Sequence, residues 1–277
     1  MFGLYTSKVD YMGKNGFHEG STCSLIFTHN SRSGVPIKMG IDKLPENTYI
    51  HASYGTKIQM DKLDGIGAEL KKADELKSPG VVFHLPKNNI NEVAMTLKAI
   101  KKRFKWNTRI LLEMHVYRPV NGVETFHTTK SLNYLCKLFK SYGYTKGEIG
   151  ICLDSSHIFV YGDNLLQSYD EVEEYFLEFD DPEWIGMIHL NGNETKPGQY
   201  RDKHAIPFDK VDRIWGEMKE FSEDSGFVAF IDWSKNLQIP TIFELKMKGR
   251  LEFFQRFVEW EKEQYSENGN DEEKKKN

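Results

Sequence analysis

The chain has 277 residues, of which 39% are hydrophobic and 13% aromatic, enough apolar material for one large core. Its 37 basic and 41 acidic residues give a formal net charge of −4, so the overall charge lacks the basic footprint typical of nucleic-acid-binding proteins. No apolar run approaches the roughly 20 residues of a transmembrane helix, and the first ten residues lack the pattern of a secretory signal. Three cysteines without a CxxC spacing exclude a disulfide framework and favour reduced thiols in a cytoplasmic or nuclear protein.

Short apolar runs of four to six residues recur along the whole chain. They are rich in β-branched and aromatic residues and almost continuously hydrophobic, which is typical of strands in a buried parallel sheet. A further run at 227–231 fits either another strand or a piece at the edge of a barrel. The eight main strand candidates are residues 2–6, 24–28, 48–51, 81–85, 110–114, 150–154, 185–190 and 241–245.

Amphipathic segments separate these strands and predict helices. In 90–104, for example, Ile90, Val93 and Leu97 share one face. Strands that alternate with helices predict an α/β fold, a (β/α)₈ TIM barrel, as one catalytic domain over residues 1–264. The tail at 265–277 has almost no hydrophobic residues and should be disordered. The predicted helices are 63–76, 90–104, 131–142, 165–179, 208–222 and 251–263, and a full helix at 12–21 is not expected.

Side chains that can bind metals stand at the ends of six consecutive strand candidates. In a TIM barrel the carboxyl ends of the strands converge on one mouth, where the active site is built. The sequence therefore predicts that these distant residues meet. The strand-end residues are His51, His84, Glu113, Asp154, His189 and Glu244, and His157, Asp202 and His204 lie in the loops that follow.

Five histidines and four carboxylates are more ligands than one ion uses, because zinc takes about four ligands and a catalytic site leaves a position for water. They suit three ions with one bridging carboxylate. Imidazole and carboxylate ligands without thiolates favour Zn²⁺, with Mn²⁺ as an alternative at one site. Neighbouring divalent ions suit hydrolysis of a phosphodiester. Since carboxylate ligands surround positive ions, the acidic net charge does not argue against DNA as substrate.

These residues lie in motifs that resemble those of the endonuclease IV family of apurinic/apyrimidinic (AP) endonucleases. The resemblance covers about residues 24–250 and is specific, because nine ligand positions match in order. The motifs are His51-Ala-Ser-Tyr54, Phe83-His84, Leu112-Glu113, Leu153-Asp154-Ser-Ser-His157, Met187-Ile-His189-Leu-Asn191, Arg201-Asp202-Lys-His204 and Pro240-Thr-Ile-Phe-Glu244.

The resemblance implies a zinc-dependent DNA-repair enzyme that cuts double-stranded DNA 5′ to abasic sites and leaves a 3′-hydroxyl. It implies a centre of three zinc ions, with Glu113 and Glu244 as the catalytic carboxylates. The three implied ligand sets are His51, His84 and Glu113; the bridging Glu113 with Asp154, His189 and Glu244; and His157, Asp202 and His204.

The resemblance also implies residues that contact DNA. The loop at 27–32 is similar to the family loop that inserts an arginine into DNA, and it contains Asn30 and Arg32. Tyr54 matches an aromatic wedge beside the extruded nucleotide, whose extrusion costs least where the base is missing. Gly55 stands where a bulkier apolar wedge is expected. We expect a monomer that does not associate with membranes; the opening residues resemble divergent members from large DNA viruses, for which a virion location also fits.

Two other functions compete with this interpretation. A metal-dependent sugar isomerase or epimerase of the xylose-isomerase-like barrel type needs a set such as Glu113, Asp154, His189 and Glu244, but not the remaining ligands. A non-catalytic DNA-binding or scaffold protein needs no complete ligand set. The lysines at 98–105 favour a solvated helix face over a DNA-binding patch. His115 would share the strand face of Glu113 if the strand continued, which would place it beside the ligands.

Overall fold

Eight parallel strands close into a barrel. The structure, a computed structural model, describes residues 1–6, 20–28, 44–87, 90–119, 126–245 and 248–266. Each strand pairs with its neighbours in chain order, and β10 closes the barrel against β1. The predicted (β/α)₈ fold is therefore confirmed. The barrel strands are β1 (Phe2–Thr6), β2 (Cys23–Phe27), β3 (Thr48–His51), β4 (Gly80–His84), β5 (Arg109–Glu113), β6 (Ile149–Asp154), β7 (Ile185–His189) and β10 (Thr241–Phe243); β8 (Gly192–Asn193) and β9 (His204–Ala205) form a small antiparallel ribbon.

Helices surround this barrel, and α3 to α6 begin at capping side chains. Ser168 and Glu171 form a reciprocal capping box at the start of α5, and Asp154 accepts a hydrogen bond from the His157 amide at the start of α4. Within the described residues, no helix has the length and apolar character needed to cross a membrane. The helices are α1 (Leu63–Leu76), α2 (Ile90–Arg103), α3 (Thr129–Ser141), α4 (Ser155–Phe159), α5 (Tyr169–Leu177), α6 (Gly226–Asn236) and α7 (Arg250–Ser266).

Helix α7 continues past residue 264, the predicted end of the barrel domain, to Ser266. Residues 267–277, the rest of the predicted tail, lie outside the described residues, as does most of the segment at 12–21.

Two predictions between β9 and β10 were wrong. The apolar run at 227–231 is the buried core of helix α6, which Ser225 caps by accepting a hydrogen bond from the Val228 amide. The segment at 208–222, predicted as a helix, consists of turns. The buried carboxylate of Asp212 accepts hydrogen bonds from three backbone amides in this segment and from the Asn193 amide in β8, and this bonding replaces the helical pattern.

The strand pleat places two layers inside the barrel. An apolar layer includes Tyr49, Val82, Leu111, Cys152, Met187 and Ile242, all buried in one cluster. Successive side chains of a strand alternate between faces, so the residue two positions further on points into the same interior. Those residues are the six predicted strand-end ligands. The fold therefore brings them together immediately above a packed floor.

Candidate metal centre

Glu113, at the end of β5, stands in the middle of the centre. Its Oε2 lies 3.1 Å from His51 Nε2 and 3.0 Å from His84 Nε2. Its Oε1 faces the other side, 3.4 Å from His189 Nδ1. One oxygen thus faces His51 and His84 and the other faces His189, which is the arrangement required of a bridging carboxylate. The ligand atoms of His51, His84 and Glu113 all lie within 4.8 Å of one another.

A second group adjoins the first through Glu113. It contains Glu113, Asp154, His189 and Glu244, with their ligand atoms within 4.8 Å of one another. Asn191 holds two of its members in place. The Asn191 side chain donates to Asp154 Oδ2 at 2.9 Å, and its Oδ1 accepts from the Glu244 amide at 2.8 Å. Sequence reasoning did not assign this role to Asn191, although the residue stands in the His189-Leu-Asn191 motif.

The third predicted set gathers around Asp202. Asp202 Oδ1 lies 3.1 Å from His204 Nε2 and 3.5 Å from His157 Nε2. His204 also approaches the second group, since its Nε2 lies 3.5 Å from Asp154 Oδ2. All nine predicted ligands are thus brought into one connected cluster at the barrel mouth.

Backbone carbonyls fix which nitrogen each of three histidines presents. The Nδ1 of His51 donates to the Ala52 carbonyl at 2.7 Å, and that of His157 donates to the Met114 carbonyl at 2.8 Å. His204 Nδ1 makes a longer bond, 3.3 Å, to the Glu244 carbonyl. Because the proton resides on Nδ1, the Nε2 lone pair of each ring points into the cluster. This is how proteins orient metal-binding imidazoles.

The residues fit a cation because buried polar atoms remain unsatisfied. His157 Nε2, His204 Nε2 and both ring nitrogens of His189 are buried without a hydrogen-bond partner among the described residues. Burial would lower the pKa of His157, but Asp154 and Asp202 raise it well above its ordinary value. Burial would raise the pKa of Glu113, but His84 and His189 hold it well below its usual range. Unpartnered nitrogens beside buried carboxylates are the donor set that divalent zinc prefers.

The chain has recognisable relatives in sequence, although no family model matches it. It is 26% identical over 185 residues to a probable AP endonuclease of African swine fever virus, a match that covers 65% of this chain and 59% of that protein. It is 24% identical over 150 residues to a probable endonuclease 4 of Mycoplasma mycoides subsp. mycoides, covering 52% and 49% of the two chains. The matches therefore span about three fifths or less of these relatives' length.

The barrel superposes on solved structures over almost its whole length. The AsfvAP:AG crystal structure matches with a TM-score of 0.70 at 18% identity, covering 93% of this chain and 95% of the other. Endonuclease IV from Thermus thermophilus matches with a TM-score of 0.67 at 18% identity, covering 93% and 97%. The chain is thus similar in sequence to AP endonucleases over part of their length, and it shares its fold with the solved structures. The fold alone is shared more widely, since a xylose isomerase domain containing protein from Salmonella typhimurium reaches a TM-score of 0.58 at 14% identity, covering 88% of each chain.

The mouth of the barrel opens beside the cluster. A cavity of about 440 Å³ lies there, and its lining includes the candidate metal-binding residues Asp202, His204 and Glu244 together with Tyr5, Tyr54 and Lys203. The ring of Tyr54 is 42% exposed and lies parallel to that of His84, with the ring centroids 5.1 Å apart. Tyr54 therefore presents one aromatic face to solvent at the place where a substrate would enter. Asn30 and Arg32, the other predicted DNA contacts, lie outside the described residues.

His115, which was expected beside the candidate ligands if β5 continued, belongs to the cluster. Its ring stacks on His84 with centroids 4.3 Å apart, and its ligand atom lies within 4.8 Å of those of His157 and Asp202. Burial, together with His84, lowers the pKa of His115 to about 2, so the ring is neutral. The only signal in the sequence was its position two residues after Glu113.

Proposed function

We propose that this chain is a zinc-dependent AP endonuclease, which hydrolyses the phosphodiester 5′ to abasic sites in double-stranded DNA and leaves a 3′-hydroxyl. The observation that carries the proposal is the convergence of all nine predicted ligands on one connected cluster at the barrel mouth. The partial likeness to AP endonucleases in sequence supports the same reaction.

The nine residues would hold three zinc ions, with Mn²⁺ as an alternative at one position. We assign His51, His84 and Glu113 to the first ion and Glu113, Asp154, His189 and Glu244 to the second. The third would be held by His157, Asp202 and His204. When bound, such ions lower the pKa of a water molecule and neutralise the charge of the phosphate.

The chain's own residues orient these ligands and the substrate. Glu113 places one oxygen toward each of the first two ligand groups, so that both groups act on one phosphate. Asn191 fixes the Asp154 side chain relative to the Glu244 backbone, because its side chain donates a hydrogen bond to the Asp154 carboxylate and accepts one from the Glu244 amide. Tyr54 offers an aromatic surface at the rim on which a base next to the extruded abasic nucleotide would stack.

The five ligands outside the second group favour this function over sugar isomerisation. Glu113, Asp154, His189 and Glu244 alone satisfy the isomerase set and form one group in the structure. An isomerase would have no use for the buried, unpartnered nitrogen of His157 or for the carboxylate of Asp202 beside it. Three neighbouring ions, held by the full set of nine residues, would instead suit a reaction in which an anionic phosphate is bound and cleaved.

The proposal includes an intracellular setting in which DNA is the substrate. All three cysteines, Cys23, Cys136 and Cys152, are buried free thiols, which suits a reducing compartment. Monomeric behaviour in solution remains part of the same proposal.

The deciding experiment incubates the zinc-loaded protein with a duplex that contains one synthetic abasic site. We expect a single cut 5′ to the lesion, with no cut in an undamaged duplex. A strong chelator or Glu244→Gln should abolish the product, whereas the same substitution at Glu261, which pairs with Lys235 far from the mouth, should leave it unchanged. An intact abasic duplex with folded, zinc-loaded protein would exclude the proposal, and ketose–aldose isomerisation would then be assayed.

A further inference from the structure

His115 lies inside the metal centre but belongs to none of the three assigned ligand sets. Its ligand atom forms a group with those of His157 and Asp202, all within 4.8 Å. Its Nδ1 is buried and makes no hydrogen bond to any described residue. A buried polar nitrogen of this kind calls for an explanation, because desolvation without a partner is costly.

The backbone around His115 is fastened to the same part of the centre. On one side, the Met114 carbonyl accepts the Nδ1 proton of His157. On the other, the His115 carbonyl accepts a hydrogen bond from Tyr161 Oη at 3.1 Å, and the same hydroxyl accepts one from the Tyr117 amide at 2.9 Å. These bonds fix the segment relative to His157, so the proximity of the two rings is built into the fold.

We propose that His115 is a fourth protein ligand of the ion assigned to His157, Asp202 and His204. The inference rests on the proposed zinc centre and refines it. Asp202 links the set, because its Oδ1 lies 3.1 Å from His204 Nε2 while Asp202 and His157 share a group with His115.

A fourth ligand would give the set around Asp202 as many protein ligands as the set of Glu113, Asp154, His189 and Glu244, whereas the set of His51, His84 and Glu113 has three. Zinc takes about four ligands, so the added imidazole would strengthen the hold on the ion assigned to this set. It would also tie the segment after β5 to the loop that carries Asp202.

Simple packing is the competing explanation, since His115 also stacks on His84. Two substitutions separate the explanations. His115→Phe keeps an aromatic ring but removes the ligand, and His115→Ala removes both. Val116→Ala is the matched control, because the Val116 side chain packs with Val160 and Tyr161 in a separate apolar cluster.

The first measurement follows zinc release into a chelator, with metal content counted by mass spectrometry. We expect His115→Phe and His115→Ala to lose one ion at least about 10- to 100-fold faster than the wild type, the effect known for residues that merely orient a ligand. The other two ions should leave at wild-type rates, and Val116→Ala should behave as wild type. Wild-type release from His115→Phe would mean that the ring only packs, and would overturn the inference.

The second measurement covers the case in which the first variants fold poorly. His115→Cys replaces the imidazole by a thiolate, which remains a zinc and cobalt ligand. After Co²⁺ substitution, we expect a thiolate-to-cobalt charge-transfer band in His115→Cys that is absent from the wild type and from Val116→Cys. A folded, cobalt-loaded His115→Cys without this band would overturn the inference.

The two proposals can fail independently. Selective loss of one zinc from His115→Phe, in a protein that leaves abasic DNA intact, would support the ligand and refute the proposed function. Cleavage of abasic DNA by a wild type whose zinc release matches that of His115→Phe would support the function and refute the ligand.

Discussion

Two layers inside the barrel are built by the same strands and differ in almost everything else. On β5, Leu111 packs in the apolar lower layer and Glu113, two residues later, stands in the metal centre. The same step separates Val82 from His84 on β4. On each strand, the residue that stabilises the barrel and the residue in the candidate metal centre are therefore only two positions apart. The same strands position both layers, but the two layers carry separate tasks, stability below and the candidate metal site above.

The sharpest test of this division is Glu113→Gln. The substitution keeps the shape of the side chain but weakens a ligand shared by two groups, so zinc content should fall. Cleavage of an abasic duplex should fall by at least about 100-fold, the upper range for a residue that only supports a metal ligand. The lower layer is untouched, so the far-ultraviolet circular dichroism spectrum should stay that of the wild type. Loss of the folded spectrum would contradict the separation of the two layers.

Leu111→Ala should give the opposite result on the same strand. Leu111 is fully buried, and removal of its side chain leaves a cavity in the lower layer. We expect the free energy of unfolding, measured with denaturant in the metal-free protein, to fall by about 2–5 kcal/mol. At saturating zinc and low temperature the metal content should equal that of the wild type. If zinc were lost together with stability, the two layers would act as one unit.

Tyr54→Ala should separate substrate binding from metal binding. Stacking of a DNA base on an aromatic ring is worth about 1–3 kcal/mol. Loss of the Tyr54 ring beside a base that flanks the lesion should therefore lower the affinity for an abasic duplex about 10-fold. The zinc content should not change, because Tyr54 offers only its ring to the ligand His84. Fluorescence anisotropy with a labelled duplex measures the first effect and metal analysis the second. Unchanged affinity would exclude Tyr54 as part of the DNA surface.

The smallest effect is expected on the outer face of α2. Lys98 and Lys102 are exposed there and point away from the barrel mouth. Replacement of both by alanine should change the free energy of unfolding by no more than about 0.5 kcal/mol per site. The affinity for the abasic duplex and its salt dependence should stay the same. A reduced salt dependence would show that this face neutralises phosphates after all.

Sequence reasoning located most of the barrel because the relevant signals are local. A buried parallel strand is continuously apolar, and a ligand at its end interrupts that pattern, as His51 does after Ile50. The convergence of these ends followed from the geometry of the barrel. The sequence could therefore name all nine candidate ligands.

What escaped prediction depended on contacts between distant segments. A five-residue apolar run such as 227–231 has the same composition in a buried helix and in a strand, and only the cap at Ser225 distinguished them. The turns at 208–222 depend on Asp212, whose carboxylate also reaches the amide of Asn193 in β8. His115 was expected beside the candidate ligands only if β5 continued, but β5 ends at Glu113, two residues earlier, so the strand pattern could not assign a role to this side chain.

The place of Glu244, immediately after β10, has a consequence for the order in which the protein is made. A ribosome delivers His51 and His84 early, but Glu244 emerges only with the strand that closes the barrel against β1. Because metal binding is coupled to completion of a site, stable loading of the proposed zinc centre would have to wait for that last strand. A chain that ended before β10 would contain eight of the nine candidate ligands but would lack Glu244 and the strand that closes the barrel. Retention of the full complement of ions would then mark those chains whose synthesis had reached the final strand.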